Sequence, residues 1–185
     1  MNRTTTLALS AILLAATAVV AAVHAATRGS GERPDDVERS TAEIARLPVA
    51  YAWAVDGKNI DDMMDIFAEN AVYDLSAYGH ASVAGRAAIR ELFLRSVFRA
   101  EQCSFSSISN VRVEVHGARA SGADYFVHLG YRDPSYPENT RHYVEGQHFY
   151  EFVREGGRWK ISRMLGRPTF ETTETFAPEG LRHCP

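Results

Sequence analysis

The sequence predicts an α+β domain in which N-terminal helices pack on a strongly curved, mostly antiparallel sheet that encloses a pocket. Three observations predict it. Apolar residues recur at helical spacing between Ile44 and Phe98. The period then changes to two, from Phe105 to Met164. Helices followed by a run of strands is the order of an α+β domain, not of an alternating α/β one. A chain of 185 residues that is 45% hydrophobic has material for one domain with a sizeable core.

Residues 1–25 read as a secretory signal. Arg3 is the charged start, Leu7 to Val23 the apolar run, and Val23-His24-Ala25 the small-residue site, with the cut after Ala25. The other reading is an uncleaved anchor, since a run of about 17 residues is at the low end of what spans a bilayer. No second long apolar run follows, so the expected location is the periplasm or outside the cell, with no membrane contact beyond the signal. The net charge is −3, and losing Arg3 makes it more negative. That excludes nucleic acid and anionic membrane surfaces as expected partners.

Residues 26–39 are polar, contain Gly and Pro, and read as a linker; the domain is expected over 40–168. Ser40-Thr41-Ala42-Glu43 offers a capping box for a helix that places Ile44, Leu47 and Tyr51 on one side. Pro48 should kink that helix or mark its true start. Asn59 caps a second helix over 60–67, with Met63, Ile66 and Phe67 inward. Residues 71–75 are a short strand and 76–83 a loop. Residues 86–98 form an amphipathic helix through Ile89, Leu92, Phe93 and Val97.

Four strands are expected at 105–115, 120–131, 142–153 and 159–164, with tight turns at Gly117-Ala118 and Gly156-Gly157 and a longer loop over 133–139. Residues 169–185 read as a weakly patterned tail. The two cysteines, Cys103 and Cys184, either bridge in an exported protein or remain one semi-buried thiol and one on the tail.

Several local motifs occur in the same order: Tyr51-Ala-Trp-Ala-Val-Asp56, Asp61-Asp62-Met-Met-Asp-Ile-Phe67, Gly85-Arg86-Ala-Ala-Ile89, Ser109-Asn110-Val-Arg-Val and Gly157-Arg-Trp159-Lys-Ile-Ser-Arg163. On these the chain resembles the SnoaL-like, nuclear-transport-factor-2-like superfamily. The resemblance implies a cone-shaped fold, a pocket inside the cone, and a homodimer through the outer sheet face. The superfamily hosts isomerases, dehydratases, dehydrochlorinases, cyclases, epoxide hydrolases and pure binding modules, so fold alone does not select a reaction.

The resemblance also assigns candidate residues. Asp56 matches the aspartate that orients a histidine base in the dehydratase and dehydrochlorinase members. The position of that histidine holds Ser106, which is no general base at neutral pH. Tyr51 matches the oxyanion-donating tyrosine of ketosteroid isomerase, whose carboxylate base would fall near Leu75. His148 matches a second oxyanion donor, and His128 shares strand parity with Asp124 and Phe126. Catalytic candidates are therefore Asp56, His148, Tyr51 and His128; Leu75, Ser106 and Tyr150 are expected to line the pocket. An Asp124–Arg112 pair is the candidate for epoxide-hydrolase chemistry. His80 lies near the expected pocket mouth, while His116 and His142 are expected to be solvated.

No short-spaced His, Cys and acid cluster, phosphate loop or serine elbow is present, so no metal and no cofactor are expected. The expected partner is a hydrophobic cyclic small molecule. As an enzyme, the chain would be a cofactor-free dehydratase, isomerase or cyclase moving a proton next to a carbonyl. The alternatives are a binding or carrier module without chemistry, favoured by Ser106, and a dimeric accessory protein.

Overall fold

The computed structural model describes residues 33–131 and 140–176. The expected signal at 1–25, the start of the expected linker, the loop at 133–139 and Cys184 lie outside them. The chain divides into two units, Met1–Asp36 and Val37–Pro185; the site described below belongs to the second.

Helix α1 is Pro34–Ala45, α2 is Leu47–Asp56 and α3 is Ile60–Ile66. α1 begins before the capping box: Pro34 opens it and Asp35 and Asp36 occupy its first turn, where acids meet the positive end of the helix dipole. Residues 34–39 are thus helical rather than linker, and Ser40 is buried within the helix instead of capping it. Pro48 sits in the first turn of α2, where its missing N–H breaks no helical hydrogen bond. The Asn59 side chain caps α3 by accepting from Asp62 N at 3.2 Å.

Strand β1 (Phe67–Asp74) is followed by a 3-10 turn (Ser76–Tyr78), a short β2 (Val83–Ala84) and helix α4 (Arg86–Leu92). The expected single helix over 86–98 is instead α4, a π-helical turn (Phe93–Val97) and a short α5 (Phe98–Ala100). Strands β3 (Cys103–His116), β4 (Arg119–Tyr131), β5 (Thr140–Glu155) and β6 (Arg158–Thr175) complete a curled, open sheet in the order β2-β1-β6-β5-β4-β3. Only the β1–β6 pairing is parallel.

Ile44, Met63, Phe67, Ile89, Phe93 and Ile161 are fully buried between the helices and one part of the sheet. Truncating Phe67 or Phe93 to alanine there costs about 3–5 kcal/mol.

Two of the sheet's bulges decide which residues face the cavity. β4 keeps its even residues inward throughout. In β3, Ser109 pairs with Tyr125 but Arg112 with Ala123, so one residue is extra. Asn110, at φ 54°, takes the left-handed turn, which asparagine tolerates. Ser106 and Ile108 face inward before the bulge, and Val113 and Val115 pack on the core after it.

In β6, Pro168 pairs with Gly146 and Phe170 with Glu145. A Cβ at Gly146 would lie 2.2 Å from Arg167 O, so this close approach requires glycine. β6 runs to Thr175, past the expected strand end and into the expected tail. Its last stretch pairs with β5 and is rich in β-branched threonine, while its irregular phase hid it from a period-two reading.

Candidate active site

A cavity of ≈ 560 Å³ lies between the helices and the concave sheet face. α2 contributes Tyr51, Ala52 and Val55; β1 and the turn after it contribute Tyr73, Leu75, Ala77 and Tyr78. The inward residues of the sheet add Ser106, Ile108, Phe126, His128, His142, His148 and Glu171. Among the described residues, no lysine or arginine lines it. A second hollow of ≈ 440 Å³ lies mostly on outward residues of the sheet, including Arg112, Glu114, Glu151 and Arg163; none of the described histidines lines it.

His148 and Asp124 are direct cross-strand partners. Asp124 Oδ1 lies 2.9 Å from His148 Nδ1, and Asp124 Oδ2 accepts from the Tyr150 hydroxyl at 2.8 Å. Asp124 is 2% and His148 6% exposed. Two donors compensate the buried carboxylate for lost water. With Nδ1–H given to Asp124, Nε2 carries the lone pair, and it makes no hydrogen bond among the described residues. Phe126 stacks on the imidazole at 4.1 Å, which fixes the ring plane. Arg112 does not meet Asp124, so the epoxide-hydrolase pair does not form.

Tyr51 stands edge-on to His148, with ring centroids 6.0 Å apart. Its hydroxyl is 2.8 Å from that of Tyr73. One proton joins the two phenols, which leaves the second for a ligand. Burial raises the pKa of both phenols, that of Tyr51 well above its ordinary value, so both stay protonated donors.

Asp56 is held by serines. Its carboxylate accepts from Ser104 Oγ at 2.8 Å, Ser106 N at 2.7 Å and Ser106 Oγ at 2.8 Å. It opens on a groove of ≈ 300 Å³ beside Trp53 and Phe105, and reaches the cavity through Ser106, which lines both. Ser106 Oγ also lies 2.9 Å from His128 Nδ1, and His128 Nε2 lies 3.1 Å from Glu101 Oε1. Glu101 reaches this place over Gly130, where a Cβ would stand 1.9 Å from its Oε1.

The remaining candidates fall as follows. Leu75 and Ser106 line the cavity. Tyr150 does not: its hydroxyl is turned to Asp124, behind His148. His142, expected in solvent, lines the cavity with Nε2 2.8 Å from Glu171, because it shares inward parity with His148. His80 lines the cavity and His116 is exposed. Cys103 is disulfide-bonded; the only other cysteine is Cys184, outside the described residues.

Glu101 and the Asp124–His148 pairing were not read from the sequence. A glycine inside a strand, Gly130, was the available signal for the first; shared parity of Asp124 and His148 was the signal for the second. Among the described residues no three His, Cys, Asp or Glu side chains converge as metal ligands would.

The SnoaL-like domain model matches residues 38–165. The chain belongs to this family. Among solved structures, the SnoaL-like domain is similar to a proposed aromatic ring hydroxylase from Novosphingobium aromaticivorans, at 29% identity and TM-score 0.66, over 78% of this chain and 96% of that one. It shares its fold with a hexachlorocyclohexane dehydrochlorinase from Novosphingobium barchaimii, at 21% identity and TM-score 0.64, over 74% and 93% of the two chains. It also shares it with a proposed scytalone dehydratase from N. aromaticivorans, at 18% identity and TM-score 0.60, over 77% and 89%. No curated protein matches the SnoaL-like domain significantly.

Proposed function

We propose that this SnoaL-like domain is a cofactor-independent lyase or isomerase that encloses an uncharged cyclic compound and moves a proton next to its carbonyl. The observation that carries this reading is the buried Asp124–His148 hydrogen bond, with Nε2 left unbonded beside Tyr51. His148 Nε2 takes the proton from carbon, Asp124 stabilises the imidazolium that forms, and a Tyr51 or Tyr73 hydroxyl binds the developing enolate oxygen. A cavity rich in aromatic rings, with no lysine or arginine among the described residues that line it, suits an uncharged ring. Relatives named for aromatic-ring and cyclohexane chemistry support a cyclic ligand.

The test is carbon-bound hydrogen exchange. The protein is incubated in deuterium oxide with a panel of cyclic ketones, and loss of α-proton signals is followed by NMR. At least one ketone should exchange faster, and His148→Asn should slow it about 10²–10⁴-fold. Catalysed exchange that His148→Asn leaves intact would sink this assignment.

The second reading is a binding or carrier module. It is favoured by Asp56, which holds two serine hydroxyls where relatives' chemistry calls for an imidazole. A panel compound retained unchanged and without exchange would favour it. Export is part of the proposal and is supported by the disulfide at Cys103, a bond stable in oxidising compartments. Homodimerisation is supported by Phe105, Tyr125 and Phe170, 49–57% exposed on outward sheet positions.

A further inference from the structure

Ser106, His128 and Glu101 are joined by two hydrogen bonds that the proton-transfer reading does not use. With the imidazole neutral, Nε2 carries the proton given to Glu101, 3.1 Å away, and Nδ1 keeps the lone pair, 2.9 Å from Ser106 Oγ, that accepts the hydroxyl proton once it turns from Asp56. Hydroxyl, imidazole and carboxylate stand in the order that activates a serine, and such sets are recognised by geometry and role, not by chain position.

We propose that Ser106 is a nucleophile of the cavity, with His128 as its base and Glu101 as the acid that orients the base, and that it cleaves small uncharged esters. All three residues line the cavity. His128 and Glu101 side chains are 18% and 13% exposed, so substrate can reach the pair while bulk water is thinned. Glu101 is built into its place: Lys58 Nζ donates to its backbone carbonyl at 2.5 Å, and Gly130 leaves the room its carboxylate fills.

Asp56 pins Ser106 through the backbone N–H at 2.7 Å. Its Oδ1 is also a resting acceptor for the hydroxyl at 2.8 Å, so attack begins when that hydroxyl turns to His128. In the same cavity, the phenol proton that the Tyr51–Tyr73 hydrogen bond leaves free is a donor for the acyl oxygen.

In the step, the Oγ–acyl bond forms as the ester C–O bond breaks. The Ser106 proton passes to His128 Nδ1 and on to the departing alkoxide, which leaves as alcohol. Water repeats the attack with His128 as base, releases the carboxylic acid and restores Ser106. Ester and water become acid and alcohol, with no redox change and no co-reactant.

The experiment uses the whole chain with an alkyl fluorophosphonate and, separately, 4-nitrophenyl butyrate. Intact mass and peptide mapping should find one phosphonyl group, on Ser106. Ser106→Ala should abolish labelling and ester turnover. His128→Gln should slow both at least ~10²-fold, and Glu101→Gln about tenfold or more. Ser109→Ala, outward and exposed, should label as the wild type does. Thermal transitions are recorded for each variant; if His128→Gln fails to fold, Glu101→Gln carries the test. No label on Ser106 overturns the proposal, as does labelling at the wild-type rate in a folded His128→Gln or, in its place, Glu101→Gln.

Discussion

Asp124 and His148 sit opposite each other on β4 and β5, joined through Oδ1 and Nδ1 at 2.9 Å. The backbone ladder sets the dyad, so two residues far apart in sequence meet without any loop having to place them. The same carboxylate holds Tyr150, which ties the ring's orientation to the buried core.

Replacing Asp124 separates stability from chemistry. Asp124→Ala leaves two buried polar groups without their acceptor and should cost about 2–4 kcal/mol by urea denaturation. Asp124→Asn keeps the shape, can reverse the imidazole tautomer, and should slow α-proton exchange about 10²-fold or more with a smaller stability loss. Equal exchange rates in Asp124→Asn and the wild type would remove Asp124 from the mechanism.

Gly130→Ala should drive Glu101 away from His128, since the new Cβ would overlap its carboxylate. A crystal structure of the variant should show the 3.1 Å contact opened, and fluorophosphonate labelling of Ser106 should fall with it.

Buried phenols predict an alkaline limit. Burial raises the pKa of Tyr51, Tyr73 and Tyr150, so the folded chain keeps protons that the unfolded chain releases near pH 10. Stability should be full below that pH and decline as pH rises beyond it. Absorbance titration should show these phenols ionising above the exposed ones, and Tyr51→Phe with Tyr73→Phe should flatten the alkaline decline.

An acid limit comes from Asp74. Hydrogen bonds from Ser76, and then from Ser82 and Arg163, hold its carboxyl well below the usual carboxylate range. The stabilisation is present above about pH 4 and is lost as pH falls toward the lowered value. Asp74→Asn should lower the melting temperature at neutral pH and reduce its fall between about pH 4 and 2; parallel melting curves across that range would refute this.

Local pattern carried the helices and the sheet because each depends on neighbours three, four or two residues away. Ile44, Tyr51, Ile89 and Phe93 declared their helix faces, and Asp124, Phe126 and His128 their common strand face. Irregular phase escaped that reading. The residue added between Pro168 and Phe170 shifts inward parity to Glu171, so the end of β6 read as a tail; His142, at the start of its strand, read as solvated although its parity is that of His148.

The partners of the site escaped for another reason. Glu101 and His128 are 27 positions apart, as Asp56 and Ser106 are 50, and only the folded contact gives either pair meaning.

The extra residue at Asn110 makes β3 a strand in two keys. One half answers to the cavity and the other to the hydrophobic interior, and neither dictates the other's alternation. Substitutions between Ser104 and Ile108 can therefore retune what the cavity accepts without disturbing Val113 and Val115. Losing a single residue at the bulge would instead turn Ser106 and Ile108 outward and replace the binding surface with its opposite face. A family that varies its chemistry on one scaffold has, in this bulge, a place where variation is separated from stability.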